Sequence, residues 1–126
     1  MPYHRWEDVK PEQLNPLSSR KVIVGKNLML AEFTTKKGAV VPPHKHVLEQ
    51  ISFVLKGRVK FTVGGEERIT KEGDIILIPP NVEHSAVTLE DSVGLDVFTP
   101  LRDDWLSGKD AYLRGPYPKK GRRASK

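Results

Sequence analysis

The stretch that decides the fold reads Gly38-Ala-Val-Val-Pro-Pro-His44-Lys-His46-Val-Leu-Glu-Gln50. Side chains in a β-strand alternate between two faces, so histidines two residues apart point to one side. If the strand has no bulge, Gln50 faces that same side and Glu49 faces away. The alternative is that a bulge turns Glu49 inward instead. The pattern therefore predicts a polar row of two imidazoles and one amide on one strand face.

A second patterned stretch reads Gly73-Asp-Ile-Ile-Leu-Ile-Pro79-Pro-Asn81-Val-Glu-His84. We expect His84 to reach the first polar row from a neighbouring strand. Three imidazoles and an amide oxygen form a credible site for one first-row divalent metal ion, whether manganese, iron, nickel or zinc. The alternative is that these are ordinary polar side chains at a strand edge, but three of the four histidines then fall at patterned spacings by accident.

Short β-type runs separated by turn residues continue through most of the chain. They cover residues 22–24, 28–34, 47–55, 59–63, 67–70, 74–78, 85–89 and 93–98. Gly64-Gly65 between two of these runs predicts a tight hairpin, because glycine adopts positive φ easily. Seven or eight short strands at this spacing predict a sandwich or barrel. No segment among them has a helical period, and the expected helix is a short one near 103–106.

The two patterned stretches resemble the two sequence motifs of the cupin family, over roughly residues 22–100. The first motif spans Gly38 to Gly57 and the second spans Gly73 to Thr88. The chain departs from the motifs at Gln50, where a glutamate ligand is usual, at Asn81, where glycine is usual, and at Thr88, where asparagine is usual. The resemblance implies an all-β fold, a cupin-type double-stranded β-helix (jelly-roll) barrel with an extended N-terminal arm.

The domain organisation follows from where the short β-type runs begin and end along the chain. We predict an N-terminal arm over 1–20, a cupin β-barrel domain over 21–106 and a C-terminal extension over 107–126, of which 119–126 is expected to be disordered. The last eight residues carry five of the Lys and Arg residues, and the rest of the chain has 16 basic and 16 acidic residues. The net charge of +5 therefore belongs to the tail, which is either solvated or a weak RNA- or partner-binding arm.

Composition narrows the class of protein further. There is no cysteine, which excludes disulfides and thiolate metal ligands. The first ten residues contain acids and no apolar segment, which is not typical of a signal peptide. The longest apolar run, Ile75-Ile-Leu-Ile78, is too short to cross a bilayer. We expect a cytoplasmic protein that binds neither nucleic acid nor a membrane.

A second cluster follows the second motif, in the run Val93-Gly-Leu-Asp96-Val-Phe98-Thr-Pro100-Leu-Arg102. Asp96 and Phe98 share one strand face, and if that face is the inner one, Asp96 lies near the metal. A carboxylate in a dry cavity beside a cation is a candidate general base. Arg102 is placed to bind a substrate carboxylate with its planar fork. The alternatives are that Asp96 and Arg102 form a structural ion pair and that Phe98 is plain core.

These residues together resemble those of the small uronate-ketonising cupins of pectin and alginate breakdown. That resemblance implies that His44, His46, Gln50 and His84 bind metal. It implies further that Asp96 moves protons, Phe98 lines the pocket and Arg102 holds the substrate carboxylate. The implied activity is that of an isomerase or lyase, which opens the ring of a 4,5-unsaturated monouronate and ketonises its enol.

Two other functions remain open from the sequence. One is a metal-dependent dioxygenase of the quercetin-cleaving kind, and the other is a non-catalytic cupin that binds a small molecule. Four neutral ligands leave the full +2 charge on the ion, which favours an anionic substrate. Apolar residues on both faces of the first motif strand, such as Ile51 and Phe53 against Leu48 and Val54, suggest packing outside the barrel, so a homodimer is expected.

Overall fold

The structure is a computed structural model that describes residues 1–114. Within them, eight strands form one sheet, preceded by a single 3-10 turn at Trp6–Asp8 and followed by two short helices. The strands are β1 (Glu12–Asn15), β2 (Ser18–Val24), β3 (Met29–Thr35), β4 (Val40–His44), β5 (Glu49–Val63), β6 (Glu66–Lys71), β7 (Ile75–Ile78) and β8 (His84–Thr99). The helices are α1 (Asp103–Leu106) and α2 (Ala111–Arg114). The predicted basic tail, 119–126, lies outside the described residues.

Every strand pairing is antiparallel, which confirms the predicted all-β cupin barrel. The main path of the sheet is β1-β2-β3-β8-β5-β6, while β4 pairs with β8 and β7 pairs with β5. The predicted hairpin is confirmed, because Val63 pairs with Glu66 across Gly64 and Gly65, which both have positive φ. The short helix expected near 103–106 is α1. None of the helices in residues 1–114 is long and apolar enough to cross a membrane.

Two pairs of predicted strands are single long strands in the structure. β5 runs through Lys56 and Gly57, and β8 runs through Glu90 and Asp91, where the sequence predicted interruptions. The pairing of β5 with β8 shifts register around Gly57, which has a φ of 94°. The glycine therefore forms a bulge that bends the strand within the sheet instead of a turn that ends it.

The segment predicted as an N-terminal arm pairs with the sheet through β1, and β2 begins inside it at Ser18. It also contacts the C-terminal helices. Asn15 Nδ2 donates a hydrogen bond to the carbonyl oxygen of Leu113 at 2.6 Å. Arg20 forms a buried ion pair with Asp110 at 2.7 Å. Residues from opposite ends of the chain thus cover the same end of the barrel.

The main apolar cluster lies under this cover. Its buried members are Leu14, Met29, Ala31, Leu48, Phe98, Trp105 and Leu113. Trp105 from α1 packs edge-on against Phe98, with ring centroids 5.1 Å apart, and against Phe33 at 5.7 Å. Edge-to-face pairs of this kind add to the area that the rings bury. The cluster fixes one end of β8, and therefore the polar residues that this strand carries.

Replacing Gly57 by alanine is expected to destabilise the fold far more than replacing Gly65. Both residues have positive φ, 94° and 85°, so both substitutions carry a left-handed strain of about 1–2 kcal/mol. A Cβ at Gly57 would lie 2.1 Å from Ser92 Oγ and 2.5 Å from the Asp91 carbonyl, whereas a Cβ at Gly65 meets nothing within 4 Å. Urea unfolding of both variants measures the difference, and equal losses would contradict the proposed close approach.

Candidate metal centre and its pocket

The three predicted histidines of the patterned stretches come together. His44 ends β4 and lies opposite His84, the first residue of β8, in the strand pairing. His46 follows β4 in the connection to β5. One ring nitrogen from each histidine lies within 4.8 Å of the others. Three imidazoles at this spacing can bind a single metal ion.

Backbone carbonyls determine which nitrogen each ring presents. His44 Nδ1 lies 2.9 Å from the carbonyl oxygen of Pro42, His46 Nδ1 lies 3.2 Å from that of Leu48, and His84 Nδ1 lies 2.8 Å from that of Val82. A carbonyl oxygen only accepts, so each Nδ1 donates and each Nε2 keeps a free lone pair. Metal-binding histidines show this same second hydrogen bond.

Burial keeps these rings in the neutral form that binds metal. It is the main cause that lowers the pKa of His44 and of His46, and it lowers the pKa of His84 to about 4. His84 Nε2 is buried and has no hydrogen-bond partner among the described residues. A buried ring nitrogen without a partner is costly, and a metal ion bound there would remove that cost. The donor set therefore fits a divalent metal.

Gln50 faces this group, as the strand alternation predicted. It is buried, with 7% of its surface exposed, whereas Glu49 is exposed, which is the side expected without a bulge. Gln50 Oε1 lies 3.2 Å from His46 Nε2. Because the proton of His46 is on Nδ1, its Nε2 and the Gln50 Oε1 are both acceptors and repel each other. A cation bound between them would be coordinated by both atoms. The amide is thus placed to be a fourth ligand.

Asp96 lies on β8 on the inner face, in the wall of a cavity of about 110 Å³ that His44, Gln50 and His84 also line. Burial raises the pKa of Asp96 to about 6, although a hydrogen bond from Ser52 and the charge of Arg102 oppose that effect. A carboxyl group with such a pKa exists in both protonation states near neutral pH. It can therefore take up and return a proton.

Arg102 is buried beside Asp96, but its partner is a different acid. Its Nε and Nη2 donate to Asp104 at 3.0 and 2.8 Å. The alternative interpretation of the sequence, an Asp96–Arg102 ion pair, is not formed in residues 1–114. The guanidinium also stacks over Phe98 at 4.9 Å. Phe98 itself is 1% exposed and belongs both to the core cluster and to the cavity wall.

Tyr112 is a pocket residue that the sequence interpretation missed. Its ring lies over His44, with centroids 4.9 Å apart, and its hydroxyl contacts Arg102 and donates to Asp104 at 3.0 Å. It comes from α2, in a segment predicted only as a C-terminal extension. No motif marks it, because its position depends on how α2 folds back over the barrel. Ser52 was also missed, although it lies two residues beyond Gln50 on the same strand face.

Comparison with known proteins agrees with this geometry. A family model described as a cupin domain matches residues 31–98. The solved structure of KdgF from Halomonas sp. is 31% identical, with a TM-score of 0.78, covering 83% of this chain and 98% of that one. An RmlC-like cupin from Shewanella frigidimarina is 28% identical, with a TM-score of 0.78, covering 82% of this chain and 94% of that one. These matches confirm the resemblance to small cupins that include the uronate-ketonising ones.

A more distant likeness concerns the fold alone. Oxalate decarboxylase from Bacillus subtilis, whose structure was studied for its Mn(II) centres, is 20% identical with a TM-score of 0.68. The match covers 81% of this chain and 32% of that one. No curated protein matches this chain. One protein with this fold therefore has Mn(II) centres. The likeness concerns the fold and assigns no reaction to this chain.

Replacing Asp96 by asparagine is expected to stabilise the metal-free protein above neutral pH. A pKa of about 6 in the folded state, against 3.8 ordinarily, means that the folded protein binds this proton more tightly than the unfolded chain does. The ionised carboxylate therefore opposes folding above pH 6, by about 1–3 kcal/mol, and this opposition disappears as the pH falls toward 4. Urea unfolding with a chelator present, at pH 8 and at pH 4, measures the difference.

The control for this prediction is Asp8→Asn, a change of the same kind at an exposed position. It removes one carboxylate without changing the pocket. Asp96→Asn should gain stability over the starting protein at pH 8 and lose that advantage at pH 4, whereas Asp8→Asn should show no such trend. Parallel pH profiles for all three proteins would show that Asp96 is not held in a desolvated site.

Proposed function

Because this chain belongs to the cupin family, we propose that it is a metal-dependent enzyme that acts on a small sugar acid. The proposed reaction is the opening and ketonisation of a 4,5-unsaturated monouronate. The observation that carries the proposal is the position of the Asp96 carboxyl group in the same cavity wall as His44, Gln50 and His84, where desolvation raises its pKa to about 6. The likeness to KdgF from Halomonas sp., at 31% identity, supports the resemblance to the small uronate-ketonising cupins, from which the substrate class is proposed.

The proposed reaction rearranges bonds without adding or removing atoms. The hemiacetal hydroxyl loses its proton, the bond from the anomeric carbon to the ring oxygen breaks, and that oxygen becomes an enol hydroxyl. The enol then loses its hydroxyl proton and gains one at carbon 4, which leaves a ketone. A bound divalent metal would supply Lewis acidity at a substrate oxygen. Asp96 is the residue proposed to carry the proton between oxygen and carbon.

Arg102 is proposed to hold the substrate carboxylate. Its planar guanidinium can donate two parallel hydrogen bonds to a carboxylate. In the structure, this group is hydrogen-bonded to Asp104 and Tyr112. The substrate carboxylate would therefore compete with Asp104 or use the remaining guanidinium nitrogen. The small cavity and the three aromatic rings of Phe98, Trp105 and Tyr112 around it favour a monosaccharide over a polymer.

Three variants test the metal and the proton carrier separately. Asp96→Asn should keep one divalent ion per chain but lose turnover of an unsaturated monouronate by about 100-fold or more. His84→Ala should lose both metal and turnover. His4→Ala, which removes the histidine outside the site, should keep both. Metal content is measured by elemental analysis, and turnover by loss of the absorbance of the conjugated double bond.

Oxygen dependence separates this proposal from the other functions. The proposed isomerisation proceeds equally under air and under nitrogen, because no electrons leave the substrate. Oxygen uptake with flavonols or aromatic diols would instead indicate a dioxygenase. Saturable binding of the uronate without turnover, in metal-loaded protein, would indicate a binding protein. Full activity of Asp96→Asn would exclude the proposed proton carrier.

A homodimer is proposed from an apolar patch on the outer face of the sheet. We call this the outer patch; its residues are Ile51, Phe53, Ile75, Leu77, Leu95 and Val97. They lie side by side on β7, β5 and β8, because Ile51 pairs with Leu77 and with Val97. Leu77 is 65% exposed and Ile75 is 54% exposed. Contiguous apolar surface of this kind is typical of a contact between subunits.

Leu77→Asp is expected to convert the dimer into a monomer, since a charge within the patch would have to be desolvated in the contact. Light scattering coupled to size-exclusion chromatography measures the molar mass. The control is Leu106→Asp, which should stay dimeric. Leu106 lies on α1, outside the outer patch, and is likewise exposed, at 54%. A monomeric starting protein, or a dimeric Leu77→Asp variant, would contradict the proposed interface.

A further inference from the structure

Ser52 lies between two groups of the proposed site. It follows Gln50 by two residues on the inner face of β5 and is only 2% exposed. In the pairing of β5 with β8, Ser52 is directly opposite Asp96. A hydroxyl in a barrel interior must find hydrogen-bond partners, and these two side chains are within its reach. The position of Ser52 therefore connects a proposed metal ligand to the proposed proton carrier.

The hydrogen bonds of Ser52 have a definite direction. Gln50 Nε2 donates to Ser52 Oγ at 2.9 Å. On its other side, Ser52 is the strand-pairing partner of Asp96, and its hydroxyl, the only proton donor of that side chain, interacts with the Asp96 carboxylate and lowers its pKa. A hydroxyl has one proton and two lone pairs, so a proton donated to Asp96 leaves only acceptor capacity toward Gln50. The hydroxyl can then be satisfied by the nitrogen end of the amide and not by its oxygen end.

This direction matters because the two ends of a primary amide have nearly the same shape. Only the hydrogen bonds around Gln50 decide whether oxygen or nitrogen faces His46. Nitrogen in that position would present two protons to a cation and could not coordinate it. With nitrogen bonded to Ser52, Oε1 faces His46 Nε2 at 3.2 Å, inside the group of imidazoles.

We propose that Ser52 is a positioning residue that turns the oxygen of the Gln50 amide toward the metal. The proposal rests on the metal centre proposed above, but not on the proposed reaction or substrate. It also accounts for a departure from the family motif. A glutamate at position 50 has two equivalent oxygens and needs no such orientation, whereas a glutamine does. Gln50 and Ser52 therefore act as a pair.

A double-mutant cycle with Co²⁺ as the probe tests this pairing. The affinity for Co²⁺ is measured by competition with a chromophoric chelator for the starting protein, Ser52→Ala, Gln50→Glu and the combined variant. Partners that orient a metal ligand typically contribute about 10–100-fold to affinity, so Ser52→Ala should lose at least about tenfold. In the Gln50→Glu background, the same change should alter the affinity less than about threefold.

Two further variants separate orientation from general damage to the fold. Ser92→Ala removes another buried serine hydroxyl, which donates to the Glu90 carbonyl at 2.6 Å, and should leave the Co²⁺ affinity unchanged. Ser52→Thr keeps a hydroxyl at position 52 and should recover most of the affinity. If Ser52→Ala does not fold, Ser52→Val replaces it and is compared with Ser52→Thr, because valine has nearly the shape of threonine without the hydroxyl and cannot bind Co²⁺.

The outcomes distinguish this inference from the proposed function. Unchanged Co²⁺ affinity in Ser52→Ala would overturn the positioning role while leaving the metal centre intact, and so would equal losses with glutamine and with glutamate at position 50. Absence of Co²⁺ binding by the starting protein would overturn the metal centre and this inference together. The visible absorption bands of bound Co²⁺ give a second measurement, since they change when an oxygen ligand is lost.

Discussion

Three hydrogen bonds from imidazole Nδ1 to backbone carbonyls are the constraint on which the site depends. Each bond joins a histidine to a residue two positions away, so the local backbone itself sets the tautomer. Burial then keeps the rings neutral. The three ring nitrogens that keep a lone pair lie within 4.8 Å of one another, and burying them costs free energy that the rest of the barrel must offset. The candidate site is thus a property of the backbone as much as of the side chains.

The strands around the site carry polar side chains on their inner face and apolar side chains on their outer face. On β5, Gln50 and Ser52 face inward while Ile51 faces outward with 39% of its surface exposed. A barrel whose interior contains amides, hydroxyls and a carboxyl group needs apolar burial elsewhere. The core cluster that includes Phe98 and Trp105 provides part of it, and the outer patch holds several other large apolar side chains. Polar side chains inside the barrel and apolar side chains on its outer surface both follow from the alternation of residues along the strands.

The sequence predicted most of the site because alternation in a strand is a local rule. In β5 a period of two predicts that Gln50 faces inward and Glu49 outward, as the structure has them. His46 lies in the connection between β4 and β5, so alternation in a strand does not explain its position. The partner of Arg102 could not be predicted, because Asp104 and Asp96 are both close in sequence and only the fold of α1 decides between them. Continuity of β5 through Gly57 was missed for a similar reason, since a glycine permits either a turn or a bulge and the neighbouring β8 selects the bulge.

The residues that cover the pocket come from a different part of the chain than the proposed metal ligands. The four proposed metal ligands lie within residues 31–98, the part of the chain that the cupin family shares, whereas Arg102 and Tyr112 lie beyond it. This cover is anchored to the first strands by the Arg20–Asp110 ion pair. Substitutions in the two terminal segments can thus alter which molecules enter while the ion-binding centre stays the same. The residues around the pocket mouth and those of the ion-binding centre therefore belong to separate stretches of the chain.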